Sequence, residues 1–359
     1  MNRHALLGLL VFSALKLSAG EPTHDEIAGR PALEIADATA QLKKTFVTPV
    51  LQCEHKAGEN LIWCLSFQLA WNELCNQLNG AVKLDKPHPF VDQLNEKLVT
   101  WRAIDEDSYV AVAGEGQRAL DELKAQLEKK FKGAATPKLL PNDPRSLFAY
   151  AYLFKSLRFE TPFHRINAPL QFGESAVQSF GLSDGENREQ LSRQIVVLDY
   201  VAPENFVIEL KTLDSRSRLI LARLSAGKTL KQTVDGVLKR VADAKPGTLK
   251  YDERFQAPLI DFEITRIFNE LIGPRVLNAG RYNGWQITDA RQLIRLKFDE
   301  KGAVLKSEAR AAAKNGHRPR THIGAVAADL RGARGRHADH HADDGGRQLL
   351  ILANRKCPG

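Results

Sequence analysis

Several residue clusters in this 359-residue chain are of types that do chemistry. Cys64 is a candidate thiolate nucleophile, with His88 or His164 as its base. A reactive thiolate needs a basic neighbour and partial exposure. Cys64 instead lies between Trp63 and Leu65 in an apolar run, so the sequence favours a buried thiol. Tyr109 to Ala113 runs into Gly114-x-Gly116-x-x-Ala119, close to the glycine fingerprint that brings a pyrophosphate to a helix N-terminus. No alternating strand–helix pattern surrounds it and no second strand with an acidic end follows. A strand turning into an amphipathic helix accounts for it. Ala226-Gly227-Lys228-Thr229 resembles a phosphate loop, but Ala222 stands where the earlier glycine is required. Arg336 to Asp344 mixes His337, His340 and His341 with Asp339, Asp343 and Asp344. Those are metal-ligand types, yet they sit in a low-complexity tail, which is how the tract is read. No catalytic residue, cofactor or metal is therefore expected, and a cysteine-dependent hydrolase is the weakest of the functional readings.

A different kind of chemistry is written in Arg291 to Ala309. Ile294, Leu296 and Phe298 alternate with Arg295 and Lys297, the period of a half-buried strand. Asp299, Glu300 and Lys301 follow, then Gly302, whose backbone freedom suits a hinge or bulge. Beyond it Ala303, Leu305, Ser307 and Ala309 form one face, small or apolar. Val304, Lys306, Glu308 and Arg310 form the other, mostly charged, and Lys306, Glu308 and Arg310 are expected to face solvent. The segment after the hinge has the pattern of a strand in its own right.

The elements that must carry this stretch are legible at coarse grain. Glu34 to Thr45 has helical spacing. Asn60 to Leu78 begins as a strand and becomes a strongly apolar helix. Phe148 to Lys155 reads as a buried strand that ends at Thr161-Pro162. Ile195 to Val201, Phe206 to Leu213 and Arg218 to Leu224 are strand-like, and a helix follows from Thr229 to Val241, with Gly227 as its cap. Phe255 to Phe262 reads as one strand running into a short helix closed by Gly273-Pro274.

Three of these regions, spread in order over roughly residues 145–309, resemble the serpin family. Phe298-Asp299-Glu300-Lys301-Gly302-Ala303 is similar to its hinge. Tyr152, Phe154, Lys155, Phe159, Pro162 and Phe163 match a strand that ends in Pro-Phe. Ala151, Ser156 and Phe159 stand where the family usually has Asn, Gly and Trp. The strand and short helix before the hinge are the third match. Asn60 and Ser66 resemble, more loosely, the family's buried strand–helix unit. The chain is identified on these residues as a remote, bacterial-type member. The resemblance implies an α+β fold of several mixed β-sheets surrounded by about eight or nine helices, with an exposed C-terminal reactive loop. It implies a hinge at Glu300, Gly302 and Ala303 and an inserting loop whose inward face is Leu305, Ser307 and Ala309. The bait bond would fall near Arg318 or Arg320. The partner would be a serine protease, and insertion of the cut loop as a strand would inhibit it. A non-inhibitory binding protein on the same scaffold is the alternative.

Charge and composition set the remaining expectations. The net charge of +8 resides in the two ends: residues 309–359 carry ten Lys/Arg against four Asp/Glu, and 21–308 has 39 of each sign. A nucleic-acid footprint is therefore not expected on the body. Residues 1–20 read as a secretory signal, with Arg3 and His4 before the apolar run Ala5 to Leu15 and cleavage after Gly20. That run is too short to span a membrane. A secreted or periplasmic monomer is expected, with a serpin-like domain over 21–308. Residues 309–359 read as an anomalous tail, with no aromatic residue after Phe298 where the family has an aromatic-Pro-Phe signature. That composition points to a shifted reading frame or a decayed family end, and only Leu349 to Ala353 is expected to pack. Cys53, Cys64 and Cys75 are spaced by eleven and leave a disulfide open.

Overall fold

The computed structural model describes residues 9–12, 45–56, 60–96, 105–133, 135–172, 175–185, 187–250, 253–316 and 347–354. Its strands, in chain order, are β1 (Leu9–Phe12), β2 (Thr45–Thr48), β3 (Asn60–Cys64), β4 (Tyr109–Glu115), β5 (Leu147–Arg158), β6 (His164–Phe172), β7 (Ser175–Gly181), β8 (Ile195–Ala202), β9 (Asn205–Leu210), β10 (Ser217–Leu224), β11 (Gly247–Thr248), β12 (Gln256–Pro258), β13 (Ile260–Ile267), β14 (Gln286–Asp299), β15 (Gly302–Lys314) and β16 (Arg347–Asn354). The helices are α1 (Ser66–Gln77), α2 (Pro89–Asn95), α3 (Gly116–Phe131), α4 (Arg188–Ser192) and α5 (Leu230–Asp243). The α+β class with several sheets is thus observed. The described residues hold five α-helices, and not the eight or nine expected. The Glu34 to Thr45 helix lies outside the described residues except for Thr45, which opens β2.

Three sheets carry the strands. The first has five, in the order β13-β14-β15-β5-β4, all antiparallel. The second has three, β12-β7-β6. The third has eight, β11-β8-β9-β10-β16-β1-β3-β2, and is mixed because β2 runs parallel to β3. Leu9–Phe12 of the expected secretory signal is β1, between β16 and β3, so cleavage after Gly20 would remove it. Among the described residues no helix is long and apolar enough to cross a membrane.

The apolar helix α1 is buried on almost every side, with Phe67, Leu69, Ala70, Trp71 and Leu74 all in the core. It lies against the five-stranded sheet, touching β4, β5, β14 and β15. A helix apolar all round needs such a position, since either face exposed would leave large side chains in water. Helix α3 has a single apolar stripe, Leu120, Leu123 and Leu127, which covers Tyr150 and Tyr152 on the other face of the same sheet. The central sheet is therefore covered on both faces. Its strands accordingly read as apolar runs where they are deepest, as in Leu147 to Leu153.

Two local expectations change. Thr229 caps α5, not Gly227. Its hydroxyl accepts from Gln232 N–H while Gln232 reaches back to Thr229 N–H, a reciprocal capping box. Phe255 to Phe262 is two strands in different sheets, with Leu259 at the crossing and its N–H held by Gln178 O at 2.9 Å. Apolar continuity cannot reveal such a change of sheet, because both sides of the crossing are buried.

Candidate functional site

The candidate site is the turn expected to serve as the hinge and the strand that follows it. β14 ends at Asp299, the chain turns through Glu300 and Lys301, and β15 starts at Gly302, paired directly with Asp299. The Asp299 carboxylate accepts from Lys301 N–H at 2.9 Å and meets Lys297 Nζ at 3.2 Å. Both turn carbonyls are engaged by the exit of β5: Phe159 N–H donates to Lys301 O at 3.0 Å, and Phe163 N–H to Glu300 O at 2.8 Å. Arg165 closes on Glu300 at 3.2 Å. Beneath the turn Phe298, Phe180, Phe163, Phe159 and Phe255 interlock, with ring centroids 4.9 to 6.3 Å apart. The Pro162-Phe163 pair and the hinge, 135 residues apart in sequence, thus form one corner.

The segment after the hinge is not an exposed loop. β15 pairs with β14 from Gly302 to Lys314 and with β5 from Gly302 to Ala313, so it is the central strand of the sheet. Its α1-facing side is Ala303, Leu305, Ser307, Ala309, Ala311 and Ala313, none more than 2% exposed. The compositional boundary at 309 consequently cuts through a continuous strand. Arg318, Arg320 and the histidine tract lie outside the described residues; β16, which includes Leu349 to Ala353, pairs along its whole length with β10.

One polar chain crosses the otherwise apolar interface between β15 and α1. Gln292 Nε2 donates to Cys64 O at 2.9 Å and to Ser66 Oγ at 2.8 Å. Ser307 Oγ donates to Leu293 O at 2.9 Å, which spends its only proton. The Ser66–Ser307 contact of 2.7 Å must then run from Ser66 to Ser307. All three side chains are fully buried, so their partners must be kept. A one-residue slip of β15 would turn Ser307 away and bury Lys306 in its place. The signal was present in the sequence: Gln292 is the polar member of the face that continues as Ile294, Leu296 and Phe298.

On the other face the structure corrects the expectation for Glu308. It is 3% exposed, not solvated. The segment after α3 lies over it, and its carboxylate accepts from Lys138 N–H at 2.9 Å, Leu139 N–H at 2.8 Å and Tyr150 Oη–H at 2.8 Å. Burial raises its pKa, and these hydrogen bonds counter only part of that effect. Burial together with the neighbouring Glu308 pushes Tyr152 up to about 12. Arg310 is held by Asp289 and by the carbonyls of Leu139 and Leu140. Lys306 sits 5.7 Å over the Phe154 ring, and burial lowers its pKa. The charged face of β15 is thus clamped. No periodicity argument could show this, because the covering segment is irregular.

Lys155, at the hinge end of β5, is 6% exposed and lies 3.2 Å from both Asp105 and Asp214. Burial alone would raise these two carboxyls. The hydrogen bonds and charge of Lys155, with Ser217 added at Asp214, hold both below the usual range.

The remaining candidates do not assemble into a site. Cys64 is fully buried and burial raises its thiol pKa. His88 Nδ1 accepts from Phe90 N–H, and His164 Nδ1 bonds the Ser183 hydroxyl; neither is bonded to Cys64. Iodoacetamide should leave Cys64 unlabelled in the native chain and modify it only on unfolding, as mass spectrometry of the peptide would record. Native labelling would reopen the hydrolase reading. Among the described residues Cys53, Cys64 and Cys75 form no disulfide. The Gly114-x-Gly116 motif serves packing: a Cβ on Gly114 would lie 2.6 Å from that of Ala119, and Gly116 N–H is taken by Pro144 O. Among the described residues no group of His, Cys, Asp and Glu forms a metal cage.

No protein-family model matches the chain, and no curated protein matches it. The solved structures to which it is similar include serpins. The viral serpin CrmA is 10% identical over 70% of this chain and 93% of its own, at a TM-score of 0.44. Reactive-loop-cleaved human thyroxine-binding globulin is 11% identical over 70% and 89%, also at 0.44. A loop C-sheet serpin polymer is 11% identical over 95% and 98%, at 0.47.

Proposed function

We propose that this chain is a serpin-like inhibitor of serine endopeptidases that works by inserting the segment after its hinge as a strand. The observation that carries the reading is β15, which continues from the hinge and fills the centre of the sheet between β14 and β5. Its inward side chains are small or apolar, as a strand arriving late must have, because a buried unpaired charge costs several kcal/mol. In the mechanism the protease serine attacks the carbonyl of a bait bond beyond Lys314, in the region of Arg318 or Arg320. The amide breaks, an ester to the protease forms, and the new amine leaves with the proton. Zipping of 302–314 into the sheet then drags the acylated protease away from the geometry it needs for hydrolysis. On this reading β15 at the centre of the sheet is the inserted state, and the form that meets a protease holds 302–314 outside the sheet. The apolar run at the N-terminus supports a secreted or periplasmic location.

Glu308 favours a second reading. A carboxyl that must be desolvated under the 138–139 segment slows insertion, and slow insertion suits a non-inhibitory binding protein on the same scaffold. Freshly expressed full chain incubated with trypsin-like and chymotrypsin-like serine proteases separates the two. Inhibition predicts a one-to-one covalent adduct that survives SDS. Clean cleavage after residue 314 by every protease, with full protease activity and no adduct, overturns the inhibitor reading in favour of the binding protein.

A further inference from the structure

A second feature lies away from the hinge, at the edge of the eight-stranded sheet. β8 is paired along its length with β9, but on its outer side β11 covers only Val196 and Val197. The pairing stops there because Pro246, which has no N–H, precedes β11. Between this edge and the end of α5 is an open cleft of about 1080 Å³. Its lining includes Val197, Phe206, Ile208 and Leu249, an apolar surface, and Tyr200 at its mouth is 57% exposed. A cleft of this size is in the range that holds a drug-sized ligand.

Charge around the cleft is net positive once its internal ion pair is removed. Asp199 is bonded to Arg240 at 2.5 Å, and Glu253 accepts from Lys250 N–H at 2.8 Å. Asp243 and Glu253 are the remaining acids of the lining, against the ammonium groups of Lys239, Lys245 and Lys250 and the guanidinium of Arg254. Among the described residues no carboxylate pairs with those three lysines. Asp184, itself exposed, reaches Arg254 only at 3.8 Å. An apolar floor beside unpaired cations is complementary to a molecule with a hydrocarbon body and one anionic end.

We infer that this cleft binds an amphipathic monocarboxylate, its hydrocarbon body on Val197, Phe206, Ile208 and Leu249 and its carboxylate among Lys239, Lys245 and Lys250. The site shares no residue with the hinge or β15, so it is independent of protease inhibition. The probe is dodecanoate below its micelle concentration, titrated calorimetrically into the full chain. One dodecanoate should bind per chain, weakening as salt rises because the charged groups are at the surface. Dodecanol should bind at least tenfold more weakly and dodecyltrimethylammonium should not bind. Reversing the rim (Lys239→Glu, Lys245→Glu, Lys250→Glu) should weaken dodecanoate at least tenfold. Leu249→Trp, which keeps every charge but fills the floor, should abolish binding, so the inference does not depend on the triple variant folding. Absence of saturable one-site binding, equal affinity for the ammonium probe, or unchanged binding in Leu249→Trp would overturn it.

Discussion

Gly302→Ala should destabilise the protein by about 2–5 kcal/mol, the combined scale of a strained backbone and an overpacked contact. Gly302 has φ +139°, and a Cβ there would lie 2.1 Å from Leu157 O and 2.9 Å from Arg158 Cα. Neither partner can move cheaply, since both are backbone of β5 in register with β15. Gly280→Ala is the control. Gly280 has φ +109° with nothing within 4 Å of an added Cβ, so it carries the strain without the collision. Urea unfolding of the two variants should place Gly302→Ala well below Gly280→Ala. Equal losses would mean that β15 does not approach β5 at this turn, and its central place in the sheet would fall with it. Against a total of roughly 5–15 kcal/mol for an ordinary domain, the expected loss is large.

Acidification should strengthen the five-stranded sheet through Glu308. Burial sets the folded pKa of this carboxyl above its free value of 4.5. The folded state therefore binds the proton more tightly than the unfolded chain. The stabilisation is complete below about pH 4.5, the unfolded value, and is lost as pH rises through the folded pKa. Asp105 and Asp214 act in the opposite sense. Their folded pKa values are depressed, so their contribution is present above the unfolded value and fades only as pH falls below it. Between mildly acidic and neutral pH the Glu308 contribution is thus the one that changes. Unfolding midpoints at pH 5 and pH 8 should differ in the native chain and converge in Glu308→Gln, whose carbonyl still accepts from Lys138 and Leu139. Glu308→Lys faces a cation toward two N–H donors and should cost about 3–5 kcal/mol, the scale of an uncompensated buried charge. An unchanged pH difference in Glu308→Gln would remove the carboxyl from this role.

If 302–314 inserts as proposed, the two effects bear on that step from opposite sides. Gly302 decides whether the chain can reverse direction tightly enough for β15 to meet β5. Glu308 sets how readily the far side of β15 is desolvated. A protein that must insert this strand quickly would gain from protonating Glu308 first, so mild acid should favour the inserted form.

How much of this was legible in the residues differs from element to element. The alternation in Arg291 to Phe298, the glycine after an acidic turn and the small face of 303–309 are local patterns, and they fixed β14, the turn and the two faces of β15. The run Phe148 to Lys155 and the apolar helix after Asn60 were equally plain, because an element buried on several sides must be apolar along its length. Local pattern did not say where β15 goes. That it lies between strands begun 155 and 16 residues earlier is a long-range pairing, with no trace in its own alternation.

The fate of the charged face was also decided only in three dimensions. Period two assigns Lys306, Glu308 and Arg310 to one side of a strand but cannot tell water from an overlying loop. Lys138 and Leu139 supply that loop from 170 residues away, and their N–H groups turn Glu308 from a solvated acid into a buried acceptor. The composition of 309–359 likewise separated a tail from a body at a point where the backbone runs on without interruption, because Ala311 and Ala313 need only be small to fit under α1. The sequence by itself determined which residues can form strands, which turn can reverse the chain and which faces can be buried. Tertiary structure decided which strand is central, which charges lose their water and where a basic apolar cleft opens, because each depends on segments that meet only when the chain is folded.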